Sequence, residues 1–299
     1  MRKPKRVLLL GAGGMGMAPL ALYLQGSGIE VEAYDDRFRE PLRSHLEDAG
    51  ITVLSEATPS QKPDCVIRSS AIPLNSKLVK NWLDLEIPVY RRGEFLARFT
   101  AKRNILAVVG SHGKTSTVGI LSWALEKVGF PISYLVGGLF IDNQLPPGQF
   151  IKNSWLVLEI DESDGTIDFF SPTVTLALNC DWDHVDRYDS KDSMGETFRA
   201  LFSRTTSTII TPVNSDLFEW AKLEKDKKVF TFKLRNELSE YHQNNIAAVI
   251  QAGEALGVDL SQLDFSQFPG IERRQTILNQ SPTRTIIEDY AHHPTEINA

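Results

Sequence analysis

Short apolar runs alternate with amphipathic segments along the first hundred residues. The runs end at glycine, proline or charged residues, as buried strands do: RVLLL (6–10), IEVEAYDD (29–36), DCVIRSSAIP (64–73) and IPVYRR (87–92). The segments between them carry helical spacing or glycine stops: 17–27, EPLRSHLEDAG and SKLVKNWLDLE. This alternation predicts a parallel sheet covered by helices. The unit is expected to end near Thr100, because TAKRN is polar and poor in helix formers.

A second unit of the same kind follows. Its predicted strands are NILAVVG (104–110), SWLVLEI (154–160), TVTLALNC (173–180), STIITP (207–212) and KKVFTF (227–232). Its predicted helices are KTSTVGILSWALEKVG and NNIAAVIQAGEALG. TRTIIEDY (283–290) is expected to be a last strand, with no partner evident in the sequence. The fold class is therefore α/β, with two mainly parallel sheets.

A glycine-rich turn follows the first predicted strand. It matches the pattern G-x-G-x-x-G, in which backbone N–H groups approach a diphosphate at a helix N-terminus. Its members are Gly11, Ala12, Gly13, Gly14, Met15 and Gly16, and Asp35 lies where a ribose-binding acid would follow. The motif alone leaves open a plain packing turn, NAD or another nucleotide diphosphate. The basic start MRKPKR before an apolar run also resembles a signal peptide, but the glycines favour the phosphate loop.

A second glycine turn links a predicted strand to a predicted helix. Its residues are Gly110, Ser111, His112, Gly113, Lys114, Thr115 and Ser116. Loop N–H groups and the Lys114 ammonium are expected to hold the β- and γ-phosphates of a nucleotide, and the Thr115 hydroxyl to reach Mg²⁺. A full P-loop has a glycine six residues before the lysine, where this chain has Val108. A mere packing turn would not need Lys-Thr directly after the second glycine.

Acidic and polar residues follow two of the apolar strands of the second unit. Glu159 directly follows WLVL, and on a strand Glu159 and Asp161 would share a face. Asn179, Asp183 and His184 come at the end of the next strand. Because α/β folds bind ligands at such strand ends, these residues are candidate metal and substrate ligands. A solvated charge run, or a structural histidine, is the alternative.

Length and composition narrow the classes of function. A chain of 299 residues favours two domains. The formal net charge of −6 gives no reason to expect a nucleic-acid partner. Apart from the run at the N-terminus, no apolar run approaches the length of a membrane span. The two cysteines do not make a disulfide framework, so we expect reduced thiols in a cytoplasmic protein.

Taken together, the motifs resemble the Mur ligases, a family of ATP-dependent enzymes of peptidoglycan precursor synthesis. The similar stretches are GAGGMGMAPLA, SSAI, RRGEFLA, GSHGKTST, VGGL, DESD, DHVDRY, the arginines at 273–274 and DYAHHPTEI. The family uses a shortened loop G-x-x-G-K-T, which accounts for Val108. The resemblance implies a Rossmann-like N-terminal domain (1–102), a P-loop-type ATPase domain (103–280) and, in 281–299, the start of a C-terminal domain.

The resemblance also implies roles for individual residues. Gly11–Gly16, Asp35, Ser70 and Asn179 would bind or lie near a UDP-sugar acid. Lys114 would hold ATP phosphates, and Lys114, Glu159 and His184 would be the catalytic set. Mg²⁺ would be held by Thr115, Glu159 and His184. Asn245 would contact adenine, although His242 stands where the family's H-N-x-x-N pattern has its first Asn.

The implied reaction joins L-alanine to the carboxylate of UDP-N-acetylmuramate through an acyl phosphate, with ATP as phosphoryl donor. The alternatives are ligation of a recycled murein peptide and a short, non-catalytic nucleotide-binding form. Family members that use recycled peptide typically have Tyr where this chain has Ser163, and lack the RRGEFLA pattern. A nicotinamide dehydrogenase built on the first glycine loop is a further alternative, but it would have no use for Lys114 and Thr115.

Overall fold

The computed structural model describes residues 2–184, 186–234, 241–291 and 297. The first hundred residues form a five-stranded parallel sheet in the order β3-β2-β1-β4-β5. Its strands are β1 (Arg6–Leu10), β2 (Glu30–Tyr34), β3 (Thr52–Leu54), β4 (Cys65–Arg68) and β5 (Val89–Arg91). Its helices are α1 (Ala18–Gly26), α2 (Leu42–Asp48), α3 (Lys77–Asp84) and α4 (Arg92–Thr100). The expected strand–helix alternation is therefore confirmed for this unit.

A seven-stranded sheet follows in the order β12-β11-β10-β6-β9-β7-β8, parallel except for β8. The strands are β6 (Ile105–Val109), β7 (Ile132–Leu135), β8 (Gly148–Gln149), β9 (Trp155–Glu159), β10 (Val174–Ala177), β11 (Thr208–Pro212) and β12 (Lys228–Phe232). The helices are α5 (Lys114–Lys127), α6 (Lys191–Arg204), α7 (Asp216–Ala221) and α8 (Tyr241–Leu256). Short 3-10 helices span Thr166–Phe169 and Phe265–Gln267. Two mainly parallel sheets with helices confirm the α/β class.

The central strand of each sheet leads into a glycine loop. In both β1 and β6, the residues before the loop are buried, so the apolar runs are core strands. The chain leaves β1 toward β2 on one side, and β4 joins β1 on the other. Around β6 the order reverses in the same way, with β9 on one side and β10 on the other. Such reversal points open a crevice at the carboxyl ends of the strands, and both glycine loops lie there.

Helix α4 was not predicted from the sequence. The expected strand IPVYRR is shorter in the structure, since β5 stops at Arg91 and α4 begins at Arg92. Phe95, Leu96 and Ala97 of α4 are buried. The helix therefore owes its stability to packing, which the polar sequence around it conceals.

The last predicted strand does have a partner, contrary to expectation. Strand β14 (Arg284–Glu288) pairs in antiparallel fashion with β13 (Thr276–Ser281). β13 was missed because TILNQS is largely polar, and the hairpin is exposed, so no buried alternation marks it. The predicted boundary after residue 280 falls inside β13, whereas that after residue 102 falls between α4 and β6. The predicted helix start after residue 291 lies outside the described residues, except for Ile297.

The two large sheets are joined by several contacts. Gly148 of β8 lies against α1, where a Cβ would be 2.3 Å from the Pro19 carbonyl oxygen. The Tyr23 ring of α1 meets the Phe150 ring edge-on at 5.3 Å between centroids. Farther along the interface, the Ser70 hydroxyl donates to Asp164 at 2.8 Å. Side chains from both units thus build one continuous interface.

Two expectations from composition can be compared with the structure. Both cysteines are free, with Cys65 buried and Cys180 half-buried. Among the described residues, no helix has the length and apolar character that crossing a bilayer requires.

We predict that Gly93→Ala destabilises the protein. A Cβ on Gly93 would lie 2.2 Å from the Thr166 hydroxyl oxygen and 2.9 Å from its Cβ, so α4 or the 3-10 helix at Thr166–Phe169 must shift. Such overpacking costs about 1–3 kcal/mol, which lowers the Tm by several degrees in a chain of this size. Thermal unfolding followed by circular dichroism measures it.

Gly14→Ala is the matched control. A Cβ at this position would meet only the Gly11 carbonyl oxygen, at 3.5 Å, so the Tm should change little. An unchanged Tm in Gly93→Ala would show that α4 does not pack against Thr166 as described.

Candidate functional site

A cleft of about 510 Å³ lies at the carboxyl ends of β6 and β9. It gathers residues from segments that are far apart in the sequence: Met15, Lys114, Thr115, Ser116, Glu159, Asp161, His184, Arg274 and Tyr290 among others. The predicted phosphate loop, the predicted acidic strand end and His184 therefore share one cavity. The first glycine loop reaches the cleft through Met15.

The loop after β6 has a backbone that requires its glycines. Gly110 has φ 144° and Gly113 has φ 80°, a region that L-residues rarely adopt. The Asn179 side chain holds the loop from the side. Its carbonyl oxygen accepts from the His112 N–H at 2.9 Å, and its amide donates to the His112 carbonyl at 3.0 Å. Asn179, predicted to lie near a sugar-acid substrate, is thus bonded to the phosphate loop in this structure.

Lys114, the first residue of α5, folds back into the loop. Its ammonium donates to the Gly110 carbonyl at 2.6 Å and to both carboxylate oxygens of Glu162 at 3.1 and 3.0 Å. Asp161 is 4.0 Å away. Burial lowers the pKa of Lys114, but these carboxylates outweigh burial and leave its pKa above the usual value. The lysine therefore keeps its positive charge at neutral pH.

Thr115 and Glu159 form the second half of the loop's polar arrangement. The Thr115 hydroxyl donates to the Glu159 carboxylate at 2.7 Å. Gly137 leaves the space that this carboxylate occupies, because a Cβ there would lie 2.0 Å from it. The Arg274 guanidinium donates to the Thr115 hydroxyl at 3.3 Å and stacks over the Tyr290 ring at 5.0 Å. The two predicted oxygen ligands are therefore adjacent.

His184 lies near a different pair of carboxylates. Its Nε2 is 3.7 Å from Glu162, and together with Asp161 these residues could hold a cation, their ligand atoms lying within 4.8 Å of one another. This group shares only His184 with the predicted metal set. The assignment of His184 to one site with Thr115 and Glu159 stays a prediction.

Asn245 lies beside the phosphate loop, as a nucleotide contact would require. A Cβ on Gly113 would be 3.0 Å from the Asn245 amide oxygen. His242, one turn earlier on α8, stacks its ring on Phe268 with centroids 6.2 Å apart. Burial lowers the pKa of His242, so this ring is neutral at pH 7. A neutral stacked ring could line an adenine pocket but is already packed on Phe268.

The first glycine loop is tightly packed against its own unit. The Asp35 carboxylate accepts from the Gly13 N–H at 2.9 Å. A Cβ on Gly13 would be 2.5 Å from the Arg37 carbonyl, and one on Gly11 would be 2.8 Å from Ser69. Asp35, predicted as a ribose-binding acid, thus supports the loop in this structure. The packing-turn alternative explains Gly11 and Gly13 here, and ligand binding by this loop stays a prediction.

Three residues of the site were missed or left without a role by the sequence analysis. Glu162 was one acid in the run DESD, and nothing in the sequence distinguishes it from its neighbours. Gly137 belongs to VGGL and Arg274 to the arginine pair, stretches noted only for their resemblance. Their roles depend on contacts with Thr115 and Glu159, which lie more than twenty residues away in the chain. Spacing along the sequence cannot reveal such contacts.

Comparisons with known proteins agree with the fold. The Mur ligase middle-domain model matches residues 108–268, and the Mur ligase family catalytic-domain model matches residues 6–104. A UDP-N-acetylmuramate–L-alanine ligase of Carboxydothermus hydrogenoformans is 30% identical, over 100% of this chain and 73% of the relative.

Two solved structures have a similar fold. They are a UDP-N-acetylmuramate-alanine ligase from Thermotoga maritima and a murein peptide ligase from Psychrobacter arcticus. Each has a TM-score of 0.79 and 22% identity over 98% of this chain, and 75% and 74%, respectively, of the other chain is covered. With family models matching both sheets, the chain belongs to the Mur ligase family, whose members are ATP-dependent ligases.

Proposed function

We propose that this protein joins L-alanine to the carboxylate of UDP-N-acetylmuramate, with ATP as the phosphoryl donor. One observation carries the proposal: Lys114, Thr115 and Glu159 meet in a single cleft at the carboxyl end of β6. The relatives supply the substrates, since the matched curated protein named above is an alanine-adding ligase along the whole of this chain. In this proposal, residues 1–102 bind the UDP-sugar and residues 103–280 bind ATP.

The chemistry of the Thr115–Glu159 pair fits Mg²⁺. Both donors are oxygens, the ligands that Mg²⁺ prefers, and Gly137 keeps the space beside the Glu159 carboxylate clear. Thr115 and Glu159 would hold the ion, and His184 would complete the set. When bound, Mg²⁺ would offset charge on the ATP phosphates.

The residues of this chain contribute mainly positioning and charge. In the proposed reaction the substrate carboxylate attacks the γ-phosphate, giving an acyl phosphate and ADP, and the alanine amine then displaces phosphate. Lys114 brings a full positive charge to the loop, where it offsets the charge on the transferring group. Asn179 fixes the loop backbone through His112, so that the loop does not have to reorganise when phosphate arrives.

A murein-peptide ligase is the second candidate, because one of the two solved structures with a TM-score of 0.79 is such an enzyme. The candidates differ in the amine that they accept: L-alanine in one case and a recycled peptide in the other. Ser163, where peptide-using members typically have Tyr, favours alanine.

We predict an amide product from UDP-N-acetylmuramate, ATP, Mg²⁺ and L-alanine. Mass spectrometry of the UDP-sugar, together with ADP release, measures the reaction. Replacing alanine with L-Ala-γ-D-Glu-meso-diaminopimelate is the comparison. A product with the tripeptide alone would favour the recycling enzyme, and absence of product with either amine would contradict a ligase function for this chain.

We predict that Lys114→Met weakens ATP binding at least tenfold without unfolding the protein. The substitution removes the cation but keeps the length of the side chain, and a charge-assisted contact to phosphate contributes about 1.5–3 kcal/mol. Isothermal titration with ATP measures it. Lys127→Met, at the other end of α5, is the control and should bind ATP normally. Equal affinity in both variants would contradict the phosphate-loop assignment.

We predict that Gly13→Ala weakens UDP-N-acetylmuramate binding at least tenfold and leaves ATP binding unchanged. The added Cβ would lie 2.5 Å from the Arg37 carbonyl, so the first glycine loop must move. Gly14→Ala, with room for a Cβ, is the control. Titrations with each nucleotide separate the two sites. A parallel loss of ATP affinity in Gly13→Ala would contradict the division of substrates between the two sheets.

A further inference from the structure

Glu162 is the best-buried charged group of the cleft, and the proposed reaction gives it no role. Its side chain has no exposed surface, and both carboxylate oxygens accept from the Lys114 ammonium at 3.0–3.1 Å. Its backbone carbonyl accepts from the Tyr188 hydroxyl at 3.0 Å, which fixes this part of the loop after β9. Glu162 is therefore held in place as the partner of Lys114.

This ion pair changes what the phosphate loop presents to a ligand. A lysine that faces phosphate contributes one positive charge, but a lysine paired at 3.0 Å with a carboxylate contributes almost no net charge. The Gly110 carbonyl accepts a further hydrogen bond from the same ammonium. Lys114 is thus fully engaged by the protein itself, and a phosphate must compete for it.

We propose that Glu162 is a positioning residue that competes with phosphate for Lys114, so that nucleotide binding is an exchange of one anion for another. The inference rests on the proposed ATP site. Its consequence is selectivity for phosphate number. A ligand with several phosphate charges near Lys114 can displace Glu162, whereas a ligand with few charges cannot offset the loss of a buried ion pair.

The isosteric substitution Glu162→Gln tests the exchange. It removes the competing charge and keeps the shape of the buried side chain. We expect about tenfold tighter binding of ATP and of inorganic triphosphate, and unchanged binding of adenosine, which has no phosphate. Titration calorimetry is performed in EDTA and again with Mg²⁺, so that any cation bound near Glu162 is separated from the effect on Lys114. Glu219→Gln, an exposed acid on α7, is the matched control and should change nothing.

The same substitution in a Lys114→Met background shows whether Glu162 acts through the lysine. Without the ammonium there is no partner to exchange, so Glu162→Gln should alter triphosphate affinity less than twofold. A merely structural role of Glu162 would not produce this dependence on Lys114. An equal gain in both backgrounds would mean that Glu162 repels phosphate directly, and would overturn the exchange.

Two further results separate the possible failures. If wild type binds ATP but Glu162→Gln binds it equally or more weakly, the exchange is overturned and the ATP site stands. If wild type and Lys114→Met both fail to bind ATP, the proposed function fails as well. Should Glu162→Gln not fold, Glu162→Asp retains the charge but retracts the carboxylate by one methylene, and ATP affinity should then rise by about threefold. No rise in a folded Glu162→Asp would overturn the proposal.

Discussion

The hydrogen bonding of the short loop after β9 connects the two sheets and the cleft. Within three residues, Glu162 pairs with Lys114 of the phosphate loop and Asp164 accepts from Ser70 of the first unit. The Arg91 guanidinium donates to the Asp164 carbonyl at 2.9 Å, so the contact is made twice. Because these contacts alternate in direction, a shift of this loop would disturb both units at once. The geometry of the cleft therefore depends on the interface between the sheets as well as on the loop after β6.

The sequence was sufficient for the parts of the fold that depend on local pattern. Buried strands such as β1 and β6 read as continuous apolar runs, and the glycine turns after them could be placed at strand ends. Helix α4 and strand β13 could not be predicted in this way, because one is stabilised by distant packing and the other is exposed and polar. The candidate site divides similarly: Lys114, Thr115 and Glu159 carry recognisable spacing, whereas the partner of each is set by tertiary contacts.

Space explains several residues that spacing could not. Gly137 carries no ligand atom, yet any side chain there would occupy the position of the Glu159 carboxylate. Gly138 is equally constrained, since a Cβ would lie 2.3 Å from Ile271. The pair lies where β7 ends, opposite Thr115. A site of this kind is defined by what is left out as much as by its charged groups, and a sequence analysis based on chemistry-bearing side chains overlooks it.

Groups expected to meet ligands are already bonded within the protein. The Gly13 N–H is bound by Asp35, the His112 N–H by Asn179 and the Lys114 ammonium by Glu162. These internal partners differ in what they do to affinity. Asn179 is a neutral amide that fixes the backbone and adds no charge, so it preorganises the loop at little electrostatic cost. Asp35 and Glu162 are anions placed where anionic ligands are proposed to bind, so each reduces the net gain from binding phosphate. Affinity at both loops is then the difference between two sets of contacts, which keeps binding reversible while the loops remain ordered.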